Sequence, residues 1–449
     1  MKIEKNLKSL AKSLDKPLYV VGGAVRNSLL KIKEKGDVDL CADLDVDVIE
    51  KECQKFGFRV SCKYKKTNTL KFCDSKNEYE FTSFRTESYL GGGAHGVDSC
   101  IRTSDIFKDA KRRDFKCNAI YYDIKKGKIV DPLGGVEDVK NKVLSTANDP
   151  EITFYDDGLR LMRLCRFSSE LGFSVEENTL RFAKEYASNL DGISKERITA
   201  ELDKILVADG KYKISKPTAH YDGLKLLKEI GLLEKIFPML VKGDKMPQPT
   251  AYHKYDVLEH SLRACLYADK SIRLVSLLHD VGKPYCYLKY GNYHGHEKEG
   301  EILIEKNLKE LKYPNSVILE CKCIVGLHMY DMLGEAKEFK VRKKIRDNAD
   351  IFDKLMLLKI ADYKASCEKD GEPLSVTKWK KIYNDMKREN VPFSLKELAI
   401  KGGELEELGL NGTEIRDCLN HLLDLCLTDA SKNEKEKLVR FALNFKGEK

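Results

Sequence analysis

In the first third of the chain, hydrophobic positions come in short runs and alternations rather than in helical stripes. The segments "PLYVVGG", "DVDLCAD", "YEFTSFR" and "KCNAIYYDI", all between residues 17 and 134, read as strands separated by helical stretches. That alternation predicts a small α/β domain with a mixed sheet. Ahead of it, "MKIEKNLKSLAKSL" places Ile3, Leu7, Leu10 and Leu14 on one face of an amphipathic helix and lacks the unbroken apolar core of a signal peptide. From about residue 140 the apolar period becomes helical, as in "LRLMRLCRFSSELGF" and "HLLDLCLTDASKNEKEKLVRFAL". Polar, Pro and Gly clusters at "NDPEITF", "GDKMPQPTAYHKY" and "KDGEP" mark the breaks. The expected organisation is α+β: a mixed-sheet head over 1–138, a helical neck over 139–245, a histidine-bearing helical domain over 246–370 and a helical tail over 371–449.

Composition narrows the class. Of 449 residues, 42% are hydrophobic and 34% charged, which suits a soluble globular chain with real cores. No apolar run approaches the length of a membrane span. Fourteen cysteines are scattered without a CxxC pair, so reduced thiols and a cytoplasmic setting are expected rather than a disulfide frame. A net charge of +8 leans towards a polyanionic partner.

Candidate chemistry begins at "YVVGGAVRNSLLKIKEKGDVDL". Gly22 and Gly23 join a strand to a helix, where a bare backbone can approach a phosphate. Asp37 and Asp39 are two apart on the next strand, so both carboxylates face one side. Glu80, on a neighbouring predicted strand, supplies a third acid. Three converging carboxylates meet the needs of Mg²⁺, and such ions can clamp the attacking and leaving oxygens of a phosphoryl displacement. In "KDAKRRDFKCNAI", Arg112 and Arg113 precede Asp114 and a predicted strand bearing Asn118, an arrangement suited to triphosphate or ribose contacts.

In order, "VVGGAVRN", "GDVDL", "RRDFKCNAI", "DPLGGVEDV", "DDGLRLMRLCRFSSELGF" and "KERITAELDKIL" resemble the class II tRNA nucleotidyltransferase (CCA-adding enzyme) and bacterial poly(A) polymerase family, over about residues 17–240. The resemblance implies a nucleotidyltransferase-type head. Asp37 and Asp39 would hold Mg²⁺, Glu80 would be the third catalytic carboxylate, and Gly22, Gly23, Arg26, Arg113, Asp114 and Asn118 would bind nucleotide. Asn27 stands where the family usually has aspartate, which removes a charge from that position.

The block "YDDGLRLMRLCRF" sets Asp157 and Arg160 three apart on a helix. Cytosine and adenine both present an amino donor beside a ring acceptor; uracil and guanine present the reverse. A carboxylate only accepts and a guanidinium only donates, so this pair suits C and A. The resemblance makes the segment, with Asp156 in place of the usual glutamate, a protein template for the incoming base. Arg163 and Arg166 extend the basic stripe towards phosphates or the primer. Implied partners are tRNA, CTP and ATP, with no membrane. Addition of A only, of CC only, or of poly(A) stays open, because "ESYLGGGAHGVDSCIRTSDIF" lacks the proline and arginine-rich pattern expected of the family's switching loop.

Six of the nine histidines fall within 253–328. His260, the adjacent His279 and Asp280, and Asp362 follow the H…HD…D order and resemble the HD phosphohydrolase superfamily, which implies an HD domain holding a second divalent metal. His294, His296 and His328 could complete a further metal or phosphate pocket. An HD phosphohydrolase with the head as an RNA-binding module is the alternative from another class. The tail, with dispersed basic residues, fits the backbone of a tRNA acceptor arm.

Overall fold

In the computed structural model, residues 1–33, 38–89, 97–249, 253–368 and 371–447 are described. Asp37, one of the two candidate Mg²⁺ ligands, lies outside them. The chain divides into two compact units, one of residues 1–241 with 308–313, the other of 242–307 with 314–449.

The first unit carries the sheet. Its strands are β1 (Tyr19–Val21), β2 (Val38–Ala42), β3 (Arg59–Tyr64), β4 (Thr69–Cys73) and β5 (Glu78–Ser83). After the separate hairpin of β6 (Arg85–Tyr89) and β7 (Val97–Arg102) come β8 (Tyr121–Asp123) and β9 (Lys128–Val130). The order across the sheet is β3-β4-β5-β2-β1-β8-β9, with β2 and β5 parallel and the other pairs antiparallel, so the sheet is mixed. Alternation in β5 buries Tyr79, Phe81 and Ser83 and turns Glu80 to the other face. The register of β2 on β5 sets Asp39 directly beside Glu80.

Between β1 and β2, Gly22 takes φ 78°, a left-handed conformation that side chains other than glycine resist, and opens the helix Gly23–Leu29. "KCNAIYYDI" divides: Lys116–Asn118 is a single 3₁₀ turn and only Tyr121–Asp123 is strand. Asn118 therefore sits on a turn, not on a strand. Its amide donates to Asp114 Oδ1 at 3.1 Å, which closes the turn before the strand begins.

The helix Leu159–Leu171 forms the centre of the neck. It is buried nearly all round, Arg160 and Arg166 included, and stops at Gly172 with φ 67°. Gly158 lies so close to Asn189 that an added Cβ would meet its carbonyl oxygen at 2.2 Å, which fixes how this helix begins.

The second unit is helical. Val257–Tyr267, Arg273–Leu278, Gly282–Tyr290, His296–Glu310, Asn315–Leu327 and Phe352–Cys367 supply or flank the histidine cluster. A separate core gathers Leu398, Leu405, Leu422, Cys426 and Leu438 of the tail. Among the described residues no helix is long and apolar enough to cross a membrane, and the described cysteines are free.

Candidate functional site

The first unit opens a cleft of about 670 Å³ lined by Gly22, Gly23, Arg26, Asp39, Arg113, Asp114, Asn118, Asp157, Arg160, Arg163 and Arg166, together with Arg85, Glu87, Tyr89, Arg112, Arg197, Lys211 and Tyr212. Basic side chains dominate its wall, as an anionic ligand requires. At one end, the turn at Gly22 brings backbone against the carboxylate of Asp39: a Cβ there would stand 3.5 Å from Asp39 Oδ2.

Arg26 is 2% exposed and donates to neutral side chains. Nη1 donates to Asn118 Oδ1 at 2.5 Å, Nη2 to Asn27 Oδ1 at 2.9 Å and to Tyr212 Oη at 3.1 Å, and Nε to Asn27 at 3.2 Å. Asn27 thus keeps the acceptor role of an aspartate without its charge.

Two buried acids lock the neighbouring arginines. Asp109 accepts from Arg112 Nε at 2.8 Å, Arg113 Nη2 at 3.1 Å and Tyr121 Oη at 2.7 Å. Burial alone would raise its carboxyl, but Arg113 and Arg112 bring it down to about 2. Asp114 accepts from Arg163 Nε at 2.9 Å, from Arg163 Nη2 and from the Phe115 N–H. Burial opposes ionisation there too, and Arg163 overcomes it to leave the carboxyl at about 2. On the β6 side, Glu87 accepts from Arg85 Nε and Tyr89 Oη, both at 2.6 Å, and from Arg112 at 3.3 Å. Arg166 is held by Glu201 at 2.5 Å over the ring of Phe167.

Asp157 and Arg160 both face the cleft but do not pair with each other. Arg160 donates to the carbonyls of Thr153 at 3.1 Å and Arg112 at 2.8 Å and to Tyr89 Oη at 3.1 Å. Asp157 Oδ1 takes the Leu159 N–H at 3.0 Å, with Arg197 at 3.8 Å from Oδ2. The guanidinium is thereby oriented by partners other than the carboxylate beside it.

Asp156 and Glu80 stand apart from this lining. Asp156 ends the helix Pro150–Asp156, Asp157 takes extended backbone at φ −146°, and of the two only Asp157 joins the lining of the cleft. Burial, opposed by Arg160, raises the carboxyl of Asp156. Glu80 leans to Lys71, 3.0 Å away. The Arg85–Glu87–Tyr89 network was missed in the sequence, although residues two apart on a strand share a face. Tyr212 had no signal in its lysine-rich loop.

The second unit gathers the other candidates. His260 Nε2 lies 3.0 Å from Asp362 Oδ1 and 3.2 Å from His279 Nε2. Asp280 turns Oδ2 to His279 at 3.3 Å and His260 at 3.4 Å, and Oδ1 to His296 at 3.2 Å and His328 at 3.6 Å. Donor atoms of His260, His279 and Asp362, and of Asp280, His296 and His328, form two groups each within 4.8 Å. The Nδ1 atoms of His279, His296 and His328 each meet the carbonyl three residues back, at 2.8, 2.8 and 2.6 Å, which aims Nε2 inward as a metal ligand needs. Neither Asp280 oxygen makes a well-aligned hydrogen bond although both are buried. Imidazoles and carboxylates so crowded fit divalent cations of the transition series. Lys283, not foreseen, lies 2.7 Å from Asp280 Oδ2; its place three residues after the HD pair on a helix made it legible. His294 does not join the cluster. Gly295, at φ 75°, turns the chain so that His296 is buried and His294 exposed.

Comparison with known proteins bears on both units. The poly A polymerase head domain matches residues 18–145, the probable RNA and SrmB-binding site of polymerase A matches 172–242, and the HD domain matches 250–366. The multifunctional CCA protein of Pseudoalteromonas atlantica is 32% identical over 317 residues, 66% of this chain and 72% of that protein. The chain belongs to the CCA-adding enzyme and poly(A) polymerase family. A CCA-adding enzyme of Geobacillus is 36% identical over 242 residues, 54% of this chain, and the match spans about half of that relative's length at 55%. The crystal structure of the Bacillus stearothermophilus CCA-adding enzyme in complex with CTP shares the fold, with a TM-score of 0.70 at 22% identity over 99% of this chain and 98% of that one. The Thermotoga maritima CCA-adding enzyme complexed with tRNA gives 0.61 at 18% identity over 98% and 96%.

Proposed function

We propose that this chain adds C, C and A to the 3′ end of tRNA from CTP and ATP without a nucleic-acid template. The observation that carries this reading is a single cleft of about 670 Å³ that has Asp39 at a glycine turn and the Asp157–Arg160 pair among its lining. One feature serves phosphoryl transfer, the other a donor-acceptor readout of the base. The names of the family's relatives point the same way.

Asp39, with Asp37, would hold Mg²⁺. When bound, Mg²⁺ supplies charge to the α-phosphate and to the departing pyrophosphate. The Gly22 turn keeps side chains away from the phosphates, and Arg26, which donates to neutral side chains, offers them positive charge. Arg160 donates to the ring acceptor shared by cytosine and adenine while Asp157 accepts from their amino group. The RNA 3′-hydroxyl then forms a bond to the α-phosphorus as the bond to pyrophosphate breaks. Incubating the protein with tRNAs ending before, within and after CC, with each NTP alone, tests this: C is added twice and A once in sequence. Addition of A only, of CC only, or of a long A tract would identify a partial enzyme or a poly(A) polymerase.

The crowded ligands of the second unit favour a further reading, metal-dependent phosphohydrolysis. His260, His279 and Asp362 would hold one divalent ion and His296 and His328 another, with one oxygen of Asp280 offered to each. Such ions supply a hydroxide nucleophile near neutral pH. Free thiols and the lack of a membrane-crossing helix among the described residues accord with a cytoplasmic site of action.

A further inference from the structure

One aromatic ring in the cleft of the first unit is shared by three guanidinium groups. Arg166 lies 4.0 Å from the centroid of the Phe167 ring, Arg26 5.2 Å and Arg163 5.3 Å. All four residues line the cleft. The ring is 7% exposed, and a perpendicular contact with the fully buried Phe115, at 5.9 Å and 83°, holds it in place. The three cations differ in what else they meet. Arg163 is paired with Asp114, and Arg166 with Glu201 and Glu170. Arg26 donates to the side chains of Asn27, Asn118 and Tyr212, all neutral. It stands on the helix Gly23–Leu29 of the head, whereas Phe167 belongs to the neck helix Leu159–Leu171, so the ring joins the two.

We infer that Phe167 is a positioning residue for nucleotide binding, its ring holding Arg26 where the triphosphate of the incoming nucleotide takes up the charge. This rests on the nucleotidyl-transfer reading of the same cleft and deepens it. An aromatic face attracts a cation through its quadrupole and leaves the charge uncancelled. Hydrogen bonds to two amides and a hydroxyl do the same. A carboxylate in place of the ring would orient the guanidinium as well, but it would compete with phosphate for the same N–H groups. Asp114 and Glu201 offset the charges of Arg163 and Arg166, so these two do not expel Arg26 from the ring they share. The ring therefore keeps one cation of the cleft both fixed and available.

The test compares Phe167→Leu with Phe167→Tyr in the full chain with Mg²⁺. Leucine keeps an apolar side chain on the helix and removes the ring; tyrosine keeps the ring. Equilibrium dialysis reads the Kd of CTP, and competition against CTP reads the Ki of inorganic tripolyphosphate, which has no base. Phe167→Leu should raise both constants together, roughly 5- to 30-fold, the range of one desolvated cation–π contact. The preference for CTP over UTP and KM for tRNA should stay where they were, and Phe167→Tyr should restore both constants. In an Arg26→Ala background, Phe167→Leu should cost nothing further, because the ring acts through Arg26. Should leucine unfold the neck, Phe167→Met fills similar space without a π-face and gives the same comparison. Unchanged constants, a base preference lost along with CTP affinity, or a penalty that persists without Arg26 would overturn the inference while the nucleotidyl-transfer reading stands. If the parent chain binds neither CTP nor tripolyphosphate, that reading fails and the inference falls with it.

Discussion

Asp39 and Glu80 are paired in register across β2 and β5, yet Asp39 faces the glycine turn while Glu80 leans 3.0 Å from Lys71. The two acids differ in what removal should cost. Asp39→Ala should lower incorporation of CMP and AMP into tRNA by about 10³-fold or more, since it strips charge stabilisation from the reacting phosphate. Glu80→Gln should cost less. Both variants should leave phosphate-ester hydrolysis by the second unit unchanged. Single-turnover incorporation of labelled CTP compares them, and an Asp39→Ala chain that still incorporates would remove the head from the chemistry.

Arg160 is fixed by two backbone carbonyls and Tyr89 rather than by Asp157, so each member of the pair has its own hydrogen-bonding task. If Asp157 accepts from the amino group of C and A as proposed, Asp157→Ala removes that acceptor, and discrimination against UTP should fall by about 10²-fold. Measuring kcat/KM for all four NTPs on one primer reads this directly. Tyr89→Phe should relax selection less, because Arg160 keeps both carbonyl partners.

Much of this was legible in local spacing. The strand–Gly–Gly–helix turn and the HD dipeptide each work through neighbours within a few residues, whereas Asp157, expected on one helix with Arg160, lies in extended backbone before that helix begins, and Asp37 lies outside the described residues. What escaped depends on chain brought together from afar. Tyr212 reaches Arg26 across 186 positions, and nothing near either residue announces the contact. Asn118 was expected on a strand because "CNAIYYD" is apolar and aromatic enough to be one; its hydrogen bond to Asp114 turns it first. His294 reads like His296 in the sequence, but across Gly295 one is exposed and the other buried. Asp156 and Asp157 are adjacent, and the end of a helix falls between them.

Arg26 is a buried cation that donates to neutral acceptors, and a bound nucleotide would supply the negative charge that Asn27 does not. Asn27→Asp would give the guanidinium a permanent carboxylate partner. The expected result is a higher Tm together with a severalfold higher KM for both CTP and ATP, because the phosphate must now compete with that carboxylate. Calorimetry and steady-state kinetics on the same variant separate the two effects.

Asp109 and Asp114, each brought down to about 2, make folding sensitive to acid in a defined direction. An unfolded aspartate titrates near about 3.9, so these groups bind protons more readily when unfolded. Their contribution is complete above that value and disappears as pH falls through about 2. Each is worth about 2 kcal/mol at neutral pH. Asp114→Asn should therefore lose about 2 kcal/mol at pH 7 in urea denaturation, with a flatter decline in stability between about pH 4 and 2 than the parent chain shows.

Asp280 offers one oxygen to each histidine group, so its loss should empty both positions. Metal analysis after dialysis should show the Asp280→Ala chain retaining neither ion, His328→Ala losing one, and exposed His294→Ala losing none. Equal retention by all three variants would remove the cluster as a metal centre.

The most direct measurement is a crystal structure of the chain with CTP and Mg²⁺. The account predicts the α-phosphate beside Asp39, with the cytosine edge against Asp157 and Arg160 in the cleft of the first unit. A triphosphate bound away from Asp39, or a base that touches neither Asp157 nor Arg160, would contradict it.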